Sequence, residues 1–383
     1  MQKTDPIAIT QKLIQFASIT PEDKGVIPWL ADFLKELGFE TEVIEFSEDG
    51  HASILNLRAK YGDAGKNFCF AGHTDVVPIG NIKEWQHAPF AGEIVDGNLF
   101  GRGVVDMKGA IAAFAAAAAK FVQQYPNFGG RISFLITGDE EAIGINGTKK
   151  LLKHLAEKGE KFDVCLIGEP TCINELGDII KIGARGSANF KLVAHGIQGH
   201  VAYQKVASNA ATKLIKMLDL IKAMPLDNGS EHFEPSNLEI TYLNSGTGAF
   251  NIIPGSATAL FNIRYNDLHT KENLYEEITK ICSSISHDFE LVLSQDGSDM
   301  FFTQPGHFSE IIRRSIKKIT GRDASYSTAG ATSDGRFIKD YAPVLEFGLL
   351  YKTAHKVDEY ASLIEIQQLS NIYFNSLSEY FEI

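Results

Sequence analysis

Cysteine is scarce in this chain and its spacing is unpaired. Cys69, Cys165, Cys172 and Cys282 are the only four, and their scatter excludes both a zinc ribbon and a secreted disulfide framework. Three of them fall in or beside apolar runs and read as buried free thiols. Long apolar runs are missing too: the longest, residues 110–119, is far short of the roughly 20 residues needed to span a bilayer, and fits a buried helix. Residues 1–18 mix Lys3, Asp5 and Lys12 into an amphipathic pattern without the layout of a secretory signal. A cytoplasmic address with no membrane partner is the expectation. Positive charge is also in deficit. A formal net charge of −12 argues against a nucleic-acid partner, which needs a basic surface to displace counterions. An acidic excess suits a chain that spends carboxylates on metal cations.

What is present is ordinary for a folded protein, with 44% hydrophobic and 22% charged residues. A chain of 383 residues exceeds the usual single-domain size, so two domains are expected. The first stretch alternates helices (6–17, 26–37, 107–124, 147–157) with strands (39–46, 53–59, 67–71, 131–137, 162–167), an α/β rhythm that implies a mostly parallel sheet. From about residue 181 the order changes to strand 190–195, helix 206–223, strands 237–244 and 257–265, helix 271–286 and strand 289–293. That βαββαβ order is a ferredoxin-like α+β unit inserted into the first domain. The α/β pattern then resumes with helix 309–320, strand 343–347 and helix 363–380. Residues 1–180 and 295–383 are therefore expected to form one discontinuous domain around an inserted domain of residues 181–294.

The chemistry concentrates where strands end. An apolar run stops at Gly72 and presents His73, with Asp75 two residues on, and Asp106 sits on a glycine-bracketed turn before a helix. Neutral imidazole is a common metal ligand, and a nearby carboxylate can accept its other ring proton. Taken singly, His73 reads as a strand-end histidine and Asp106 as a helix cap. Yet Asp139-Glu140-Glu141 follows strand 131–137, Glu169 follows strand 162–167, and His355 follows strand 343–347. Ligands of open α/β sheets gather at the carboxyl ends of strands. Two imidazoles and several carboxylates without thiolate suit zinc, cobalt or manganese. His73, Asp106, Glu141, Glu169 and His355 suffice for a pair of ions about 3.5–4 Å apart that share one carboxylate. Glu140, left over, is free to act as general acid and base.

These residues resemble the co-catalytic zinc aminoacylase and carboxypeptidase family through Phe70 to Pro78 (FAGHTDVVP), Gly101 to Gly109, Thr137 to Glu141, Gly168 to Thr171, Gly199 to Tyr203 (GHVAY), Gly246 to Gly255 (GTGAFNIIPG) and Thr332 to Phe337 (TSDGRF). The resemblance implies a zinc-exopeptidase-like catalytic domain and a lid that forms a homodimer. It implies two zinc ions, with cobalt able to substitute: His73, Asp106 and Glu169 hold one, Asp106, Glu141 and His355 the other. Asp106 bridges, Asp75 stands behind His73, and Glu140 is the acid/base. The family sends a lid histidine, here His200, into the partner's active site. Arg185, Ser187, Asn251, Arg264, Thr332 and Tyr351 match positions that meet an N-acyl amino acid substrate, Arg264 through its bidentate fork. The implied reaction is hydrolysis of N-succinyl-LL-2,6-diaminopimelate to succinate and LL-2,6-diaminopimelate. N-acetylornithine deacetylation, aminoacylase and dipeptidase activity share the metal site and differ in the pocket, and a non-catalytic binding protein would be expected to have lost Glu140 or a ligand. Two departures touch recognition: Ala184 stands where Gly-Arg-Arg-Gly-Ser is usual, and Tyr351 where Asn is.

Overall fold

The computed structural model describes residues 2–48, 50–142, 144–246, 248–294 and 297–383. Thr247 of the GTGAFNIIPG stretch and Gln295, where the first domain is expected to resume, lie outside the described residues. The chain divides into two compact units, residues 1–183, 302–327 and 333–383 in one and 184–301 with 328–332 in the other.

The larger unit is built on an eight-stranded sheet in the order Glu40–Phe46, Ile54–Tyr61, Arg131–Thr137, Asn67–His73, Val164–Ile167, Val344–Glu346, Ile179–Lys181 and Ser325–Ser327. The four strands from Arg131–Thr137 to Val344–Glu346 are parallel, and antiparallel pairs flank them. Their apolar side chains are buried almost without alternation, the pattern of a parallel sheet covered on both faces. The helix Gly109–Gln124 covers it with a run of alanines, buried from Gly109 to Ala119. Small side chains let the helix lie close: a Cβ on Gly168 would sit 2.7 Å from both Ala110 Cβ and Phe70 Cζ. Phe114 is the large exception, stacked 4.3 Å from Phe70 and packed against Phe134 and Tyr373. Burying one such ring contributes roughly 1.5–3 kcal/mol.

The smaller unit carries a four-stranded antiparallel sheet in the order Asn237–Ser245, Ser256–Tyr265, Gly186–His195, Phe289–Leu293. The strand Ser256–Tyr265 alternates buried with more exposed positions, and one face of the sheet packs on the helices Ala210–Ala223 and Lys271–Ile285 around Phe190, Phe261, Leu214 and Ile278. Chain order and strand order together make the ferredoxin-like unit.

Some local expectations are corrected. The stretch 206–223 is not one helix: a 3₁₀ turn spans Val201–Val206, and Asn209 caps a separate helix by accepting from Thr212 N at 3.1 Å. Ser and Asn prefer such caps to helix interiors because their side chains compete for backbone groups. Likewise the helix expected from residue 107 begins at Gly109, because Asp106 and Met107 have non-helical backbone angles inside the wide turn Val104–Lys108. A small sheet made of Glu93–Val95, Asn98–Phe100 and Tyr360–Ser362 was too short to leave a periodic signal. Among the described residues no helix is long and apolar enough to cross a membrane, and all four cysteines are buried and free.

Candidate metal centre

Parallel register brings the site together. His73 pairs with Thr137 across the ladder, and Ala71 with Ile167. The chain therefore leaves three neighbouring strands at the same edge, carrying His73, the Asp139–Glu141 loop and Glu169. Asp106 arrives from the turn in front of the buried helix. That turn needs Gly103, whose φ is +85° and where a Cβ would lie 2.5 Å from Val76. His355 arrives from the loop beyond Val344–Glu346 with φ of +62°, a left-handed conformation that a non-glycine residue holds only under constraint.

Asp106 lies between the two imidazoles. Its Oδ1 is 3.3 Å from His73 Nε2 and its Oδ2 is 3.0 Å from His355 Nε2. Glu169 Oε1 lies 3.6 Å from His73 Nε2, and Glu141 Oε1 lies 3.0 Å from His355 Nε2. Two ligands on one tetrahedral ion, each about 2.0–2.1 Å from it, stand roughly 3.4 Å apart, so this spacing fits cations between the side chains. His73 Nε2 and Asp106 Oδ1 are buried and have no hydrogen-bond partner among the described residues, a costly state for polar atoms that a cation would relieve. Ligand atoms of His73, Glu140 and Glu169, and of His73, Asp106 and Glu141, cluster within 4.8 Å of one another.

The electrostatics point the same way. Burial opposes charge on His73, but Asp106, Asp75 and Glu169 raise its pKa well above the ordinary value. Hydrogen bonds to Asp106 and Glu141 push His355 up to about 10. Burial, reinforced by Asp334, Glu141 and Asp106, pushes Glu140 up to about 8, and burial with Asp106 raises Glu169. Asp106 is held well below the carboxylate range, because the two imidazoles outweigh its burial. Carboxylates here exceed the positive charge, and divalent cations would make up the deficit. Lys108, two residues on, is buried with Nζ donating to the Phe16 carbonyl at 2.8 Å, and burial brings it to about 7.

Asp75 stands beside His73, as expected, and makes further contacts. The nearest acceptor for His73 Nδ1 is the Asp75 main-chain carbonyl at 2.9 Å, while its carboxylate lies 3.5 Å away. That carboxylate also accepts from Glu140 N at 3.3 Å and Glu141 N at 3.0 Å, tying the acid/base candidate to the His73 strand end. Asp139, first of the three acids, closes its own loop by accepting from Gly144 N and Asn146 N. Glu140, whose carboxylate lies within 4.8 Å of ligand atoms of His73 and Glu169, has no side-chain hydrogen bond or ion pair among the described residues. The larger unit also places Tyr351 at its surface.

The other predicted residues lie in the smaller unit. His200 is exposed and caps the next turn, its Nδ1 accepting from Ala202 N. Asn251 is exposed, Ser187 buried, and Thr332 Oγ1 is buried without a hydrogen-bond partner among the described residues. Arg185 donates to the Pro235 carbonyl and Asn237 Oδ1. Arg264 has no ion-pair partner among the described residues, and burial with the like charge of Arg185 lowers its pKa. Ala184 is 1% exposed. Two acids escaped the reading of the sequence. Glu346, 1% exposed, pairs with Lys181 at 3.0 Å and accepts from Ser333 Oγ; Asp334, also buried, accepts from Thr148 Oγ1. The TSDGRF stretch was the local signal for Asp334; Glu346 lay inside an apolar strand with none.

A sheet of this order with an acid-and-imidazole centre at its strand ends defines a metallohydrolase class. The chain belongs to peptidase family M20/M25/M40, whose model matches residues 69–379. It is 48% identical over 380 residues to the succinyl-diaminopimelate desuccinylase of Ehrlichia canis (strain Jake), covering 99% of both chains. To the succinyl-diaminopimelate desuccinylase of Rhodospirillum centenum it is 46% identical over 377 residues, covering 98% of this chain and 97% of that one. Solved structures share the fold: an M20 family metallo-carboxypeptidase from Sulfolobus solfataricus has a TM-score of 0.77 at 17% identity, over 99% of this chain and 100% of that chain. A dinuclear metal binding peptidase of Bacillus subtilis has a TM-score of 0.70 at 14% identity, over 98% and 97%.

Proposed function

We propose that the protein hydrolyses N-succinyl-LL-2,6-diaminopimelate to succinate and LL-2,6-diaminopimelate. The observation that carries the chemistry is Asp106 facing one imidazole with each oxygen while Glu140, within 4.8 Å of His73 and Glu169, has no side-chain partner among the described residues. The full-length likeness to two desuccinylases supports the substrate. His73, Asp106 and Glu169 would hold one zinc ion, and Asp106, Glu141 and His355 the other. Two bound divalent cations supply Lewis acidity toward a carbonyl oxygen and acidify water. Glu140 accepts a proton from the attacking water on its carboxylate and returns it to the departing amide nitrogen. Burial suits it to this work, since it holds a proton more readily than an ordinary glutamate.

The smaller unit acts as a lid in a homodimer. Its exposed apolar side chains Ile215, Tyr242, Leu243 and Phe250 support an interface. His200 of the partner subunit donates to the oxyanion formed at the scissile carbonyl. Arg264, lacking a carboxylate among the described residues, and Arg185 bind substrate carboxylates, with Ser187, Asn251, Thr332 and Tyr351 completing recognition. Four free thiols fit a cytoplasmic setting. The test is a panel of N-succinyl-LL-2,6-diaminopimelate, N-acetylornithine and dipeptides with added zinc or cobalt. The expected result is the highest kcat/KM on the succinyl substrate, with two ions bound per chain and reversible loss of activity on chelation. Faster cleavage of an N-acetyl or dipeptide substrate would move the assignment to a related amidase.

A further inference from the structure

We propose that the buried pair Arg102–Glu359 is the positioning element of the half-site made by Asp106, Glu141 and His355. Glu359 is 0% exposed and Arg102 2%, with Nη1 and Oε2 2.7 Å apart. Glu359 spends both oxygens on the turn that delivers Asp106. Oε1 accepts from Val105 N at 2.9 Å and Asp106 N at 3.3 Å, and Oε2 accepts from Gly103 N at 3.0 Å. Arg102 holds the segment that delivers His355: Nη1 donates to the Lys356 carbonyl at 3.1 Å and Nη2 to the His355 carbonyl at 3.4 Å. Nη2 also reaches the Pro78 carbonyl at 3.5 Å, and the guanidinium lies 5.2 Å from the Trp85 ring centroid.

The main chain delivers the pair. Tyr360 pairs with Phe100 and Ser362 with Asn98 in an antiparallel ladder, and Gly101 N donates to the Glu359 carbonyl at 2.8 Å. Running this ladder back toward the centre places Glu359 under the turn and Arg102 beside His355. Both ligand segments are thereby fixed to one another at the point where Asp106 Oδ2 and His355 Nε2 stand 3.0 Å apart. His355, at a positive φ, is the residue whose carbonyl Arg102 grips, so the pair helps hold a conformation that the chain would otherwise leave. The His73 half meets this clamp only through the shared Asp106; His73 and Glu169 stand on the parallel ladder. Loss of the pair should therefore act more strongly on the half that takes both Asp106 and His355 from it.

The inference rests on the reading that Asp106, Glu141 and His355 share an ion, and its test separates the two. Metal-depleted protein is titrated with zinc by calorimetry and with cobalt(II) by absorption, for the parent chain, Glu359→Gln, Arg102→Lys and the double variant Arg102→Met/Glu359→Met. The parent is expected to bind two ions. In the variants one ion should bind within about threefold of the parent and the other at least about tenfold more weakly, the range typical of groups that orient ligands. Amide exchange at Gly103, Val105 and Asp106 should quicken in the metal-depleted variants. The double variant leaves no unpaired buried charge, although the N–H groups of Gly103, Val105 and Asp106 lose their acceptor, so it is expected to melt below the parent but above Glu359→Gln, which strands the Arg102 charge. A parent with two ions and variants that match it in both affinities overturns the inference while leaving the shared-ion reading intact. A parent that binds one ion overturns both. Equal weakening of both ions with a collapsed melting point in every variant makes the pair a general stabiliser and also overturns it.

Discussion

Asp75→Asn tests the strand-end architecture directly. The Asp75 carboxylate is 2% exposed and takes Glu140 N on one oxygen and Glu141 N on the other. An asparagine of the same shape has one acceptor oxygen, so in either orientation its amide group faces a backbone N–H. One charge-assisted hydrogen bond is lost, worth roughly 1.5–3 kcal/mol. For a unit of this size each kcal/mol shifts Tm by about 2–4 °C, so the midpoint of the metal-depleted protein should fall by roughly 3–12 °C. The functional effect follows from the same contact: Glu140 and Glu141 hang from that carboxylate, and its loss lets the loop drift away from His355 and the attacking water. Turnover or metal affinity should drop by about tenfold to a hundredfold. Calorimetric melting of metal-depleted protein and steady-state kinetics at saturating zinc read the two effects separately. An Asp75→Asn chain with the parent's Tm and kcat would refute the claim that this carboxylate holds the acid/base loop.

Glu140→Gln keeps the side chain's shape and removes its proton chemistry; kcat should fall by about 10²–10⁴-fold while both ions still bind, and near-normal turnover would remove Glu140 from the mechanism. Mixing a His200→Ala chain with a Glu140→Gln chain should restore part of the activity in verified heterodimers, since one of the two sites regains both groups; no rescue would place His200 in its own chain's chemistry. In the smaller unit burial works to raise the Asp227 pKa, but hydrogen bonds from Ser236, Gly229 and Asn266 outweigh it and leave a net depression. A depressed folded pKa contributes stability that is present above the unfolded value, about 3.9, and is lost as pH falls through the folded one. Asp227→Asn should therefore be less stable than the parent at neutral pH and converge with it in urea melts below about pH 4; a gap independent of pH would exclude that linkage.

The sequence by itself determined the elements and much of the centre's composition. Apolar runs that end on Gly72-His73 and Gly168-Glu169 announce strands whose tips carry candidate ligands, because a buried parallel strand must be apolar along its length and can place a polar group only where it leaves the sheet. The change from αβ alternation to βαββαβ was legible for the same reason: periodicity reports how each side chain is buried by its own element. What a side chain meets far along the chain is not written locally. Of three consecutive acids the sequence already separates Glu141 as a ligand candidate from Glu140 as acid/base candidate, and the loop's path adds that Asp139 closes the loop and that Glu141 meets His355. Asp75 reads in sequence as a support behind His73; only the folded loop shows that its carboxylate also accepts from Glu140 N and Glu141 N. Arg102 and Glu359 lie 257 positions apart, and each alone reads as a solvated charge. Their meeting depends on the register of the short ladder between Asn98–Phe100 and Tyr360–Ser362, a tertiary choice made by packing across the whole unit and invisible to any local window.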